Sequence, residues 1–187
     1  MTVIKIENES EGAIDNASGV GVLLEVARAW ISRNTEEIPL HIIFTGAEEM
    51  GLLGSLMFQK RWGKKMVREE AYLINIDSLG KRGKIRICSS GKAGKQWVKE
   101  VLACSRERGI PLRPLPFLKG IMMDHLPFCH FGIPAISFTS VSNEGWYLHT
   151  RQDRFSLVQK EGLAEMGKLI VALVDSLRSA GRKAADP

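Results

Sequence analysis

LHIIFTGAEEMGLLGS, residues Leu40–Ser55, is the stretch on which the reading of the fold turns. Leu40–Thr45 is a short apolar run rich in β-branched residues, too short for a helix, and reads as a strand buried on both faces. It empties into Thr45-Gly46-Ala47-Glu48-Glu49, after which a helix is expected to open and to run to about Trp62. A strand, a polar loop and a helix in succession form the repeating unit of an α/β fold.

The same pattern continues on both sides. AYLINID (Ala71–Asp77) reads as a second buried strand, KIRICSS (Lys84–Ser90) as a third, and AISFTS (Ala135–Ser140) as a fourth. The last follows a short helical turn and a Gly132-Ile133-Pro134 break. DNASGVGVLLEVARAWI (Asp15–Ile31) turns helical, with Val20, Leu23, Leu24, Ala27, Trp30 and Ile31 at helical spacing and Asn16 or Ser18 able to cap it. GKAGKQWVKEVLACSRERG (Gly91–Gly109) is amphipathic, with Gly109 where a C-cap belongs. From Leu157 to Arg178 the residues Leu163, Met166, Ile170, Leu173, Val174 and Leu177 share a helix face, and Ser179–Pro187 reads as a frayed tail. The expected architecture is an α/β three-layer sandwich: a mainly parallel mixed sheet with helices on both faces, in a single domain over residues 1–187.

Composition narrows the class. The chain has 187 residues, 26 Lys+Arg against 21 Asp+Glu, a net charge of +5, 44% hydrophobic and 25% charged residues. Such a balance excludes wholesale disorder. The apolar runs fall short of the ~18–20 residues of a membrane span, so no membrane partner is expected, and MTVIKIENESEGA lacks a signal-peptide core. Cys88, Cys104 and Cys129 are too few and too scattered for a disulfide framework or a thiolate zinc site. Lys60, Arg61, Lys64, Lys65 and Arg68, with Lys81, Arg82 and Lys84, are accompanied by no known binding module, so they read as solvated faces and no nucleic-acid partner is expected.

In an α/β sheet, ligands bind beyond the carboxyl ends of the strands. Asp15 precedes the first helix, Glu48 and Glu49 follow the first strand, Asp77 the second, and His149 lies shortly after the fourth. Each alone has an ordinary structural reading: a carboxylate at a helix start, a solvated first turn, a turn residue, a packed surface imidazole. Together they form the donor set of a divalent metal site, zinc first. His41 reads as structural, and His125 and His130 as local hydrogen-bonding groups.

The segments GAIDNASGVGVLLEVAR, TGAEEMGLLGS, LINIDSLG, MDHLPFCHFGIPAISF and LHTRQDRFSLV, in this order, resemble the successive motifs of the di-zinc aminopeptidases, whose relatives include glutaminyl cyclases and glutamate carboxypeptidases. The resemblance spans Gly12 to Val158. It implies a zinc-dependent exopeptidase acting on peptides with a free N-terminus. It further implies Asp15 as the carboxylate bridging two metals, Glu49 and His149 as ligands of one metal and Asp77 as ligand of the other. Glu48 becomes the general base, and Asp124 a residue of the base's hydrogen-bond network. Tyr147, beside Trp146, is placed in the pocket wall.

The chain departs from the family at one place. The H-x-D metal motif that precedes the DNASG segment in the family has no counterpart in Met1–Gly12, which contains neither His nor Asp. One three-ligand site, Asp15, Glu49 and His149, is complete, and the second lacks its His. The expectation is an incomplete catalytic domain without its first strands, with an open sheet edge that favours self-association. Two alternatives stand beside it: a mononuclear, glutaminyl-cyclase-like acyltransferase, and a relative that binds without catalysing. Localisation is left open.

Overall fold

The computed structural model describes residues 10–33, 39–80, 85–115, 122–140 and 148–185. Within them four strands, β1 (Leu73–Ile76), β2 (Ile85–Cys88), β3 (Arg113–Pro114) and β4 (Ala135–Ser140), form one sheet in the order β1–β4–β2–β3. β1 and β4 are parallel, with Leu73 opposite Ala135 and Ile76 opposite Phe138. β2 and β3 are also parallel, whereas β2 and β4 are antiparallel, with Ile87 opposite Phe138. The sheet is therefore mixed, and the strands expected around residues 71–77, 84–90 and 135–140 are all present.

Five helices accompany it: α1 (Ser18–Ile31), α2 (Leu53–Arg68), α3 (Lys92–Glu107), the short α4 (Leu126–His130) and α5 (Lys160–Ala185). Strand alternation sorts them into two layers. Ile74 and Ile76 of β1, Ile85 and Ile87 of β2, and Ile136 and Phe138 of β4 point to one face. There they meet Val22, Val26 and Trp30 of α1, Trp97 and Val101 of α3, and Met166, Leu169, Ile170 and Val174 of α5. Leu73 and Ala135 point to the other face, against Phe58 and Met66 of α2 and Phe128 and Cys129 of α4. Burying each large side chain of the main cluster contributes about 1.5–3 kcal/mol, so the α1–α3–α5 side carries most of the stability.

Local signals explain the ends. Gly109 adopts φ +64°, its N–H bonds the Arg106 carbonyl (3.1 Å) and the Ile110 N–H bonds the Ser105 carbonyl (3.0 Å). That pair of bonds is a Schellman cap, which the left-handed glycine permits. At the start of α1, Asn16 Oδ1 accepts the Gly19 N–H (3.2 Å), whereas Ser18 does not cap: it is the first residue of the helix, and its hydroxyl donates back to the Ile14 carbonyl (2.8 Å).

Two expectations are corrected. Leu40–Thr45 takes no place in the sheet of the described residues. Leu40 packs partly on the main core, but His41 and Thr45 are exposed and Phe44 is 56% exposed. An apolar run becomes a buried strand only when a neighbour takes its ladder groups and a layer covers its side chains; among the described residues no strand pairs with it, and the cover is partial, with Leu40, Ile42 and Ile43 half-buried. In α1 the buried stripe is Val22–Val26–Trp30, while Val20, Leu24 and Ile31 face outward. This helix is apolar nearly all round, so periodicity alone does not choose the face. The last helix, α5, runs to Ala185. Ala180, Arg182, Lys183, Ala184 and Ala185 are strong helix formers. No helix among the described residues is long and apolar enough to cross a membrane, and Lys60, Arg61, Lys64, Lys65 and Arg68 form an exposed face of α2.

Candidate metal centre

β1 ends at Ile76 and delivers Asp77 beyond the sheet, its N–H still bonded to the Phe138 carbonyl of β4 (2.9 Å). A wide turn, Ala13–Ala17, brings Asp15 to the same edge through a cis Asp15–Asn16 peptide bond. Asn16 staples this turn to the end of β1. Its Nδ2 donates to the Ile76 carbonyl (2.8 Å), and its Oδ1 accepts the Ser78 N–H (3.3 Å) as well as that of Gly19. Gly19 is needed there, because a Cβ would collide with the Asn16 side chain and stand 3.0 Å from the Ile76 carbonyl.

Glu48 and Glu49 sit in the loop before α2. Its backbone is closed by Gly51 N–H and Leu52 N–H on the Glu48 carbonyl (3.0 and 2.8 Å) and by Leu53 N–H on the Ala47 carbonyl (3.2 Å). Thr45, at the head of the loop, donates its hydroxyl to Asp124 Oδ2. His149 is held at φ +60°, a left-handed conformation that non-glycine residues rarely adopt.

These segments converge. His149 Nε2 lies 2.9 Å from Asp15 Oδ2 and 2.6 Å from Glu49 Oε1. Among the described residues, Asp15, Glu49 and His149 are the group of three whose ligand atoms fall within 4.8 Å of one another. Two carboxylate oxygens and an imidazole nitrogen match the donors of a catalytic zinc site that keeps one position open, so the residues present fit such an ion. Asp77 is not a member of this group, but it is close enough to feel it. Burial, then the charge of Asp15, pushes the Asp77 carboxyl up to about 6, against a lowering hydrogen bond from Ser78. Glu48 is pushed up to about 7 by burial, then by Asp77, Glu49, Asp124 and Asp15. Such an accumulation of carboxylates invites a cation.

The remaining candidates divide. Asp124 is buried, bonded to Thr45, and its Oδ1 has no hydrogen-bond partner among the described residues. His125 beside it is buried and stands outside the ligand group, as do the exposed His41 and His130. Tyr147 and Trp146 lie outside the described residues, as do Lys81, Arg82 and Lys84. One polar residue of the centre was recognised only as part of a motif: Asp153, 1% exposed, whose carboxylate accepts the N–H groups of Ile14 (2.7 Å) and Asp15 (3.0 Å). The only trace of it in the sequence is its spacing after His149 in LHTRQD.

Comparison with known proteins gives the family. The chain is similar to the aminopeptidase YwaD of Bacillus subtilis, with 31% identity over 175 residues, covering 88% of this chain and 37% of that protein. Its structure is similar to BSAP, a zinc aminopeptidase from Bacillus subtilis, with TM-score 0.73, 28% identity, and 90% and 43% of the two chains covered. For LapA of Legionella pneumophila the TM-score is 0.79 at 22% identity, over 94% and 50%, a likeness of fold. The chain thus spans half or less of the length of each of these relatives. Residues 2–174 match the description of Peptidase family M28, a match over most of the sequence that carries the metal-centre segments with it: the chain belongs to peptidase family M28.

Proposed function

We propose that this chain carries the catalytic edge of a zinc-dependent aminopeptidase that hydrolyses the N-terminal bond of a peptide. The observation that carries the reading is the convergence of Asp15 and Glu49 on His149 Nε2, with Glu48 adjacent in sequence to Glu49. Asp15, Glu49 and His149 would hold the ion. Zinc bound there lowers the pKa of a contacting water toward ~7 and polarises a carbonyl oxygen. Glu48 is the general base: its carboxylate takes a proton from the attacking water and returns it to the leaving amine. In metal-free protein its carboxyl is pushed up to about 7 by burial and then by the neighbouring carboxylates, and a bound cation would offset the carboxylate part of that shift. Asp77, whose carboxyl feels the charges of Asp15, Asp124 and Glu49, would hold a second cation, with Asp15 as the shared carboxylate. Asp124, tied to Thr45, buttresses the Glu48 loop from behind.

Selectivity for a free N-terminus follows from charge. The five carboxylates Asp15, Glu48, Glu49, Asp77 and Asp124 exceed by one the charge that two divalent ions would bring, and that surplus attracts an α-ammonium group. Hydrolysis of aminoacyl-anilides, with and without Zn²⁺, tests the reading. Cyclisation of an N-terminal glutaminyl peptide in place of hydrolysis would move the assignment to the cyclase alternative. Tight zinc binding with neither reaction would leave the non-catalytic one.

Self-association is supported by two features. β1 is an edge of the sheet among the described residues, and Phe44, Leu53, Leu56 and Met57 are apolar and exposed. Light scattering that gives the monomer mass at all concentrations would exclude it.

A further inference from the structure

We propose that Asp153 is a positioning residue of the metal centre, whose buried carboxylate locks the Asp15 turn to the His149 loop so that both ligands are presented as one unit. The proposal rests on the reading of Asp15, Glu49 and His149 as zinc ligands.

Asp153 is 1% exposed. A carboxylate is costly to bury, and it is retained only where it is well bonded. Here Oδ1 takes the Ile14 N–H at 2.7 Å and Oδ2 the Asp15 N–H at 3.0 Å. Both are charge-assisted bonds, the stronger class. They fix the backbone from which the Asp15 carboxylate hangs, leaving that ligand only its side-chain torsions. The other end of the lock is a turn. The Asp153 N–H bonds the Thr150 carbonyl (3.1 Å), and the Gln152 N–H bonds Thr150 Oγ1 (3.1 Å). His149 is the residue immediately before this turn, and its left-handed backbone has to be held by its surroundings. A return contact closes the clasp: Glu11 Oε2 accepts the Phe155 N–H (2.8 Å). Residues 11–15 and 153–155 thus exchange three hydrogen bonds to carboxylates across the two segments that supply the ligands.

Partners that orient metal ligands typically change affinity by about 10–100-fold when lost. The test measures Zn²⁺ affinity by competition with a chromophoric chelator on protein shown to be folded by circular dichroism. Asp153→Asn keeps the shape but turns an amide donor toward one of the two N–H groups. Its expected effect is a loss of affinity of about 10–100-fold. Val26→Ala, which opens a cavity in the α1 core, serves as the stability control and should bind within about 2-fold of wild type at a matched melting temperature. Should Asp153→Asn fail to fold, Thr150→Val loosens the same turn at an exposed position with Asp153 intact, and a several-fold loss is expected. Wild-type protein that binds no Zn²⁺ would sink the metal reading itself, and the proposal with it. Wild type that binds, with Asp153→Asn and Thr150→Val equal to it, would overturn the role of Asp153 alone. So would a loss in Val26→Ala as large as that in Asp153→Asn.

Discussion

Glu49 Oε1 stands 2.6 Å from His149 Nε2. One residue comes from the loop before α2 and the other from the segment after β4, so the pair exists only in the folded chain. An ion held between them binds the native state and not the unfolded one, and it must stabilise the fold by mass action. At a Zn²⁺ concentration ~100 times the dissociation constant the gain is ~2.7 kcal/mol. For a chain of this size that is a rise in melting temperature of roughly 5–10 °C. A chelator should reverse it, and His149→Ala should abolish it. Thermal melts with and without zinc make the check; a full rise in His149→Ala would mean that the ion binds elsewhere.

Glu48→Gln separates binding from chemistry. Glu48 is not in the ligand group, so zinc affinity should stay within a few-fold of wild type. Loss of a general base costs about 10²–10⁴ in rate. The expected outcome is a drop of that size in kcat for aminoacyl-anilide hydrolysis, with zinc-dependent melting preserved. Full activity in this variant would remove Glu48 from the mechanism.

Two glycines of α1 should respond oppositely to alanine. Ordinarily Gly→Ala inside a helix gains about 0.5–1 kcal/mol. At Gly21 nothing lies within 4 Å of the added Cβ, and that gain is expected. At Gly19 the Cβ meets Asn16, which is fixed by three hydrogen bonds, and the Ile76 carbonyl at 3.0 Å. Overpacking of this kind costs about 1–3 kcal/mol, which outweighs the helix gain. Gly19→Ala should therefore lower stability and, by displacing Asn16, loosen the Asp15 turn and weaken zinc binding. Denaturant melts of the two variants test the difference; stabilisation by Gly19→Ala would show that the Asn16 staple yields freely.

What could be read in the sequence was what is local. β1, β2 and β4 announce themselves as short apolar runs, and α3 by its amphipathic period and Gly109. Asp15, Glu49 and His149 were singled out by their position next to such elements, and the fold brings them together. Leu40–Thr45 looked as much like a strand as Leu73–Ile76, yet strand formation depends on a partner that no local pattern contains. The buried face of α1 was ambiguous for the same reason, since only packing against α5 and the sheet selects Val22, Val26 and Trp30. Asp153 was the least legible. Its partners are backbone N–H groups from the opposite end of the chain, and backbone groups leave no signature in side-chain pattern.

His125 supplies a pH dependence of its own. It is buried, its Nδ1 has no hydrogen-bond partner among the described residues, and burial pushes its pKa down to about 4, with Asp124 acting against the shift and His130 adding to it. In the unfolded chain a histidine titrates near ~6.5. Between these values the unfolded state holds a proton that the folded state does not, so this contribution to stability falls as pH falls from ~6.5 to about 4. Its full size is up to ~3 kcal/mol. Glu48 and Asp77 act the other way in metal-free protein: their folded pKa values of about 7 and about 6 lie above the unfolded ones, and their contribution falls as pH rises. The wild-type curve therefore mixes opposing slopes, and the difference from His125→Asn isolates one of them. As pH is lowered from 7 to 4, that difference should shift in favour of the variant by up to ~3 kcal/mol. Urea melts of both proteins across this range measure it, and parallel curves would mean that the imidazole is protonated as readily in the fold as outside it.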